Sequence, residues 1–562
     1  VEGPILVLAA PGSGKTNVIC HRLLTLLKDE HVPPQSICVM TFTKAAARSM
    51  QERFFSLLGH SESVAMGTIH GLCYRILSKH RSQPISILNE LQKLDLLRSM
   101  LHRYNPNLIL GDELLQKTAA RLSYLANHTP LQETWYVRYQ KEKERLQVMD
   151  YDDLVNQTVE LLESDASIRE TWQQAFSHYM VDEFQDVNAM QLRLLWLLSE
   201  QTKNVMVVGD DDQAIYGFRG SMPGIFREFE NLYPGCRTCY LSTNYRSHTE
   251  IMTKAQGLIS HNQGRYEKII HGAKGKGGSV VLTNYESKEA AYEGLIHAII
   301  QAEKDLPMGE QIGVLFRNGY QIHDFLWYAK KKGKGFGRQK KREHPLAKEL
   351  LRFLRLMLDP GDVDALLAVM NHPDQGLSRF FIGKGRFSLE AYCKHVHACR
   401  QWEQENRMRR FFQQLGEAKQ YGPALGVKYL LIGMNVQAFV ERKEKDEDLN
   451  SIIEMANTSV TWEEFEKKLE MLLQNKDEPI REKERIVFMT MHGAKGLEYH
   501  TVFLPELIED VLPGKKCVTI ENIEEERRVL YVAMTRAKVN LHLSYYGNQA
   551  SRFLREIETR GK

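Results

Sequence analysis

The chain has 562 residues, 43% of them hydrophobic and 26% charged, with no low-complexity tract. It is therefore neither disordered nor fibrous, and its length calls for about three or four domains. A net charge of +3 gives little global pull on a polyanion, so any such partner must be met by a local groove. No apolar run reaches membrane-spanning length, no secretory signal is visible, and eight scattered cysteines fit a reducing cytosol better than a disulfide framework.

In chain order, residues 4–10 read as a buried strand and 17–28 as a helix carrying Val18, Ile19, Leu23, Leu24, Leu26 and Leu27. The chain starts at Val1, close to that strand, and a natural segment ahead of it is expected. Between strand and helix lies AAPGSGKT: Ala9, Ala10, Pro11, Gly12, Ser13, Gly14, Lys15 and Thr16. Glycines at 12 and 14 let the backbone turn its amides toward phosphate oxygens, and the helix adds its positive end. In this pattern Lys15 reaches the β and γ phosphates of a nucleotide and Thr16 ligates Mg2+.

Further strands are expected at 36–42, 64–69, 178–183, 204–209 and 238–242, the alternation of a parallel sheet covered by helices on both faces, an α/β fold. The rhythm stops between about Leu72 and Thr171, where a helical insertion is expected. At HYMVDEFQDVN an apolar strand ends in two carboxylates, with Asp182 suited to holding the metal and Glu183 to polarising a water. Strands return at 279–285, 313–317, 485–491, 501–505 and 539–545, a second sheet interrupted by a helix-rich stretch at about 374–484. The basic run KKKGKGFGRQKKR at 330–342 reads either as a solvated loop or as a phosphate-binding one. EEERRVLYVAMTRAK at 524–538 carries the arginine that a second domain would bring to the nucleotide.

Taken in order, TFTKAAARSM, GTIHGLCYRIL, VDEFQD, VVGDDDQAIYGFRG, LSTNYRSH, MTMHGAKGLEYHTVFLP and the terminal arginine motif resemble those of the UvrD/Rep/PcrA family of superfamily 1 DNA helicases. The resemblance implies two RecA-like P-loop domains, each interrupted by a mainly helical insertion. The first would span 1–74 and 171–245 with insertion 75–170; the second 246–373 and 485–562 with insertion 374–484. It implies that Gln213 senses the γ-phosphate, Tyr245 stacks on adenine, Arg246 touches the γ-phosphate, Glu498 approaches the ribose and Arg536 is the arginine finger. For DNA it implies Phe42, Tyr216 and Phe218 as base-stacking residues and Thr43, His70, Arg219 and His492 as further contacts; position 218 is often tryptophan in relatives.

The implied activity is ATP- and Mg2+-dependent 3′ to 5′ translocation on single-stranded DNA and at its junctions with duplex, in a bacterial cytoplasm, in repair, replication or recombination. A DNA-sensing ATPase subunit regulating a nuclease or another protein is the alternative. The family's adenine-reading glutamine precedes the P-loop strand and is not among these residues, so the adenine end of the site is expected to be incomplete. In CKHVHAC, Cys393 with His397 and His395 with Cys399 have helical ligand spacing, but the pairs lie about 200° apart around a helix, which disfavours one zinc ion. Cys236 and Cys239 are expected in the core.

Overall fold

The computed structural model describes residues 2–81, 134–217, 224–334, 345–371, 385–434, 446–473, 485–515 and 517–558, with short pieces between these stretches. Strands β1 (Ile5–Ala9), β2 (Ile37–Thr41), β3 (Ala65–Thr68), β4 (His178–Val181), β5 (Val205–Gly209) and β6 (Arg237–Leu241) form a parallel sheet in the order β3-β2-β4-β5-β1-β6. The inner strands β1, β2, β4 and β5 are largely apolar runs because both of their faces are covered. Leu6, Leu8, Met40 and Val181 point to helices Ile69–His80 and Ala189–Ser199. The intervening Val7, Val39, Met180 and Val208 point to helices Lys15–Lys28 and Lys44–Leu58.

A two-stranded ribbon, β7 (Thr243–Asn244) with β8 (His271–Gly272), leads to the second sheet. There β9 (Ser279–Tyr285), β10 (Ile312–Phe316), β11 (Ile486–Thr490), β12 (Tyr499–Leu504) and β13 (Ala537–Tyr546) lie parallel in the order β11-β10-β12-β13-β9. Helices Thr249–Ile259 and Ile520–Met534 pack on one face and Lys288–Lys304 and Gly319–Lys331 on the other. Every strand expected from the sequence forms. Parallel strands put their carboxyl ends on one edge, where ligands bind in open α/β sheets.

The helices between β3 and β4 are pinned through buried ion pairs: Lys143 to Asp153 at 2.5 Å and Lys93 to Asp152 at 2.9 Å, with Tyr139 donating to Asp150 at 2.9 Å. In the second helical layer, one apolar core runs from Leu346 and Leu350 through Val396, Phe411 and Leu430 to Leu469. Helices Pro345–Leu358 and Val363–Val369 belong to it. A division at 373 and 374 therefore cuts through a single hydrophobic core, whose beginning lies nearer Pro345. Of the basic run, residues 330–334 and 336 are described. Phe336 stacks on Phe325 with ring centroids 5.9 Å apart, which anchors the start of the run to the second sheet; the rest lies outside the described residues.

CKHVHAC falls on helix Leu389–Ala398, and its four side chains go separate ways. Cys393 is buried in the helical core, His395 meets Phe381 edge-on, His397 lies 3.0 Å from Glu405, and Cys399 is exposed. Cys236 is half-buried, but Cys239 is exposed, contrary to the core placement expected for both. The reason is that β6 is an edge strand. Among the described residues, no helix is long and apolar enough to cross a membrane.

Candidate nucleotide site and DNA track

The loop after β1 turns through Gly12 (φ 63°) and Gly14 (φ 83°) into helix Lys15–Lys28, and no side chain caps that helix. A Cβ on Gly12 would fall 2.6 Å from Arg246 Cβ, so only glycine permits this approach. Ser13 Oγ is buried without a hydrogen-bond partner, and an unmet buried hydroxyl beside an open helix N-terminus fits a phosphate group. Beside the loop opens a cleft of about 800 Å³, walled by Ile5, Val7, Val18 and Leu241 and rimmed by Tyr245. Tyr245 is 62% exposed, which leaves its ring accessible for stacking.

Asn244, which sequence reasoning passed over, fixes this rim. Its Nδ2 donates to Pro11 O at 2.5 Å while its Oδ1 accepts from the backbone N–H groups of Arg246 (3.0 Å) and Ser247 (2.7 Å). One buried amide thus ties the phosphate loop to the turn that presents Tyr245 and Arg246.

At the end of β4, Asp182 accepts the Glu183 N–H at 2.9 Å, and Glu183 sits in the left-handed region at φ 50°. A non-glycine residue there costs about 1–3 kcal/mol, a strain typical of functional turns. The turn brings the Glu183 carboxylate 3.4 Å from Lys15 Nζ. Burial first, then the Glu183 charge, pushes Asp182 up to about 7. Burial also acts on Glu183, but Lys15 and Lys495 outweigh it and hold that carboxylate at about 2. A buried carboxylate destabilised in its charged form suits a divalent cation, so Asp182 with the half-buried Thr16 fits the Mg2+ expected here.

Gln185 and Asp186, inside the same motif, were missed. Gln185 accepts the Asp210 N–H at 2.9 Å, lashing β4 to β5, and a Cβ on Gly209 would lie 2.5 Å from its Oε1.

Elements before β12 and β13 reach across to this edge. Arg536 is 2% exposed; it donates to Val532 O at 2.8 Å, Thr535 Oγ1 at 3.1 Å and Gln213 Oε1 at 3.1 Å. Gln213 in turn donates to Asp210 Oδ2 at 2.6 Å. Burial, and after it the charge of Arg246, lowers Arg536 to about 9. Two guanidiniums converging in a buried place call for an anion. Lys495, also missed, bridges to Asp186 at 2.6 Å and to Gln213 O at 2.9 Å. Arg246 and Glu498, expected at opposite ends of the nucleotide, are bonded to each other at 2.8 Å.

Among the described residues, Asp210, Asp211 and Asp212 are the only set of three or more His, Cys, Asp or Glu side chains close enough together to hold a metal. Lys268 fills it, 2.5 Å from Asp210 and 2.9 Å from Asp212 and also paired with Asp211, while Arg265 bonds Asp212 at 2.6 Å. Replacing Lys268 by methionine would leave buried carboxylates uncompensated. A loss of about 3–5 kcal/mol in urea unfolding is expected.

On the same edge, Phe42 and Tyr216 stack with centroids 5.4 Å apart and planes at 11°. Lys495 Nζ lies 4.8 Å over the Tyr216 ring, so an aromatic pair and the nucleotide site share one lysine. Thr43 caps helix Lys44–Leu58 through its hydroxyl. His70 lies edge-on to Tyr151 at 5.3 Å, and burial lowers its pKa despite Asp152, leaving it neutral at pH 7. His492 sits in the loop after β11. Phe218 and Arg219 lie outside the described residues.

A phosphate loop on one parallel sheet, met by a buried arginine delivered from a second, defines a P-loop nucleotide hydrolase with its site between two α/β units. Family models agree: the UvrD/REP helicase N-terminal domain matches residues 1–234, and the UvrD-like helicase C-terminal domain matches 239–384 and 386–548. The chain is 28% identical over 632 residues to the ATP-dependent DNA helicase PcrA of Staphylococcus aureus (strain Mu50 / ATCC 700699), covering 99% of this chain and 84% of that protein. It is 30% identical over 625 residues to the ATP-dependent DNA helicase PcrA of Leuconostoc citreum, covering 99% and 83%. The chain belongs to the UvrD/Rep family of ATP-dependent DNA helicases, which are DNA-dependent ATPases.

Proposed function

We propose that the protein hydrolyses ATP to move 3′ to 5′ along single-stranded DNA and to separate strands at junctions with duplex, in bacterial DNA repair, replication or recombination. The observation that carries this reading is the Arg536–Gln213 contact. It joins the second sheet to the first near Glu183, whose charge acts on Arg536, and three residues from the stacked Tyr216.

In this reading the amides of residues 12–16 and Lys15 hold the triphosphate. Tyr245 stacks on the base. Glu183 takes the proton of the attacking water; Gln213 and Arg246 sense the γ-phosphate, and Arg536 stabilises its charge as it transfers. Thr16 and Asp182 would hold Mg2+, which neutralises phosphate charge when bound. Glu498 turns from Arg246 toward the ribose when the triphosphate takes that guanidinium. Phe42 and Tyr216 part to admit a base, each stacking contact contributing about 1–3 kcal/mol independent of sequence. Thr43, His70 and His492, with Phe218 and Arg219, line the same track.

The test is strand separation on duplexes tailed at either polarity, with Glu183→Gln as control. Unwinding from a 3′ tail alone is expected. Unwinding only from a 5′ tail would reverse the assigned direction, and DNA-stimulated hydrolysis without any unwinding would favour a regulatory ATPase subunit.

A further inference from the structure

The segment carrying Tyr216 is gripped at two points by one helix of the second unit. Past the helix's carboxyl end, Arg536 donates to Gln213 Oε1 at 3.1 Å. Near its amino end, Glu525 Oε1 accepts the Gly217 N–H at 3.0 Å. The carboxylate presses so closely on this backbone that a Cβ on Gly217 would lie 2.8 Å from Glu525 Oε2. Glu525 lies nine residues, about 14 Å of helix, before the last helical residue Met534.

That helix cannot swing independently of its sheet. The neighbouring Glu526 makes a two-point bond with Arg317, which follows β10, with one arm at 2.9 Å and the other at 2.5 Å. Farther along, Arg527 pairs with Glu556 at 2.6 Å. A loop held at one end can pivot about that contact. Gln213 stays bonded to Asp210 of the first unit, by its backbone at 2.9 Å and its Nε2 at 2.6 Å, so it is the grip at Gly217 that ties the far end of the segment to the helix.

We propose that Glu525 is a positioning residue for DNA engagement: it makes the Tyr216 segment follow the same helix that delivers Arg536 to the nucleotide. Closure of the second unit on ATP then sets the stance of the stacking ring directly, by a backbone grip and not only through Gln213. The inference rests on the proposed DNA-stacking role of Phe42 and Tyr216.

The experiment compares wild type with Glu525→Ala, Glu525→Gln, Gly217→Ala and the double variant Glu525→Ala/Gly217→Ala. It measures ATP hydrolysis without DNA, hydrolysis against the concentration of a dT oligonucleotide, and thermal unfolding. Glu525→Ala should keep its DNA-free rate and melting temperature while the half-saturating DNA concentration rises about tenfold, as loss of a hydrogen bond to a charged group implies. Glu525→Gln keeps an accepting oxygen and should restore most of the difference. Gly217→Ala should reproduce the defect by pushing the carboxylate away. The double variant should be no worse than Glu525→Ala, because the added Cβ then has room.

Unchanged DNA dependence in Glu525→Ala would overturn the proposal, as would a parallel fall in DNA-free hydrolysis and melting temperature. An additive double variant would also overturn it. Wild-type hydrolysis that ignores the oligonucleotide would defeat the parent reading of a DNA motor.

Discussion

Replacing Arg536 by alanine should lower the DNA-stimulated turnover of ATP by about 10³ to 10⁵, with a much smaller change in KM. The guanidinium is fixed before substrate arrives, by Val532 O, Thr535 Oγ1 and Gln213. Donors held in place in a water-poor site stabilise developing charge without reorganising at the moment of reaction. Lysine should rescue little, since one ammonium cannot reproduce a planar fork that meets four acceptors, Leu497 O among them. Thermal stability should not fall in proportion. Burial and the neighbouring Arg246 both disfavour this charge in the folded protein, lowering its pKa to about 9, so removing it relieves a cost. Steady-state kinetics beside thermal melting would separate the two effects. A variant that unfolds as it loses activity would mean Arg536 is primarily structural.

Glu183→Gln should reduce turnover by about 10² to 10⁴ while nucleotide binding persists, the expected loss for a general base. The substitution preserves shape at a turn whose left-handed φ of 50° orients the side chain. It also removes a negative charge that, after burial, is the largest influence raising Asp182. Asp182 should therefore ionise at lower pH in the variant, and nucleotide with Mg2+ should bind at least as tightly at neutral pH. Fluorescent nucleotide titration with single-turnover hydrolysis checks both halves. Weakened binding with hydrolysis intact would reverse the assignment.

The strands and the phosphate loop were legible because their signal is local. Continuous apolar runs such as Ile5–Ala9 and Ile312–Phe316 have to be buried on both faces, and glycines at 12 and 14 serve a turn within eight residues. What escaped reading depends on how remote segments meet. Lys495 reaches Asp186 and Glu525 reaches Gly217 across some three hundred residues of chain, and neither contact has a spacing to betray it. Lys268 lies more than fifty residues from the three aspartates it pairs with, so GDDDQ alone does not announce its partner. The helices at 345–369 carry the same periodicity whether they cover a sheet or start a bundle, and only their shared core with Val396 and Leu430 places them. Cys239 was misjudged because strand order, which makes β6 an edge, is a property of the assembled sheet.

In the proposed motor, one nucleotide site shared by two units is coupled to a single-stranded DNA track. The most direct measurement is the steady-state rate of ATP hydrolysis by the purified protein at low salt, with and without a dT oligonucleotide and with Lys15→Ala as control. A rate strongly raised by the oligonucleotide and lost in Lys15→Ala is predicted. A rate indifferent to single-stranded DNA at every oligonucleotide concentration would mean that hydrolysis and DNA binding are not coupled in this protein.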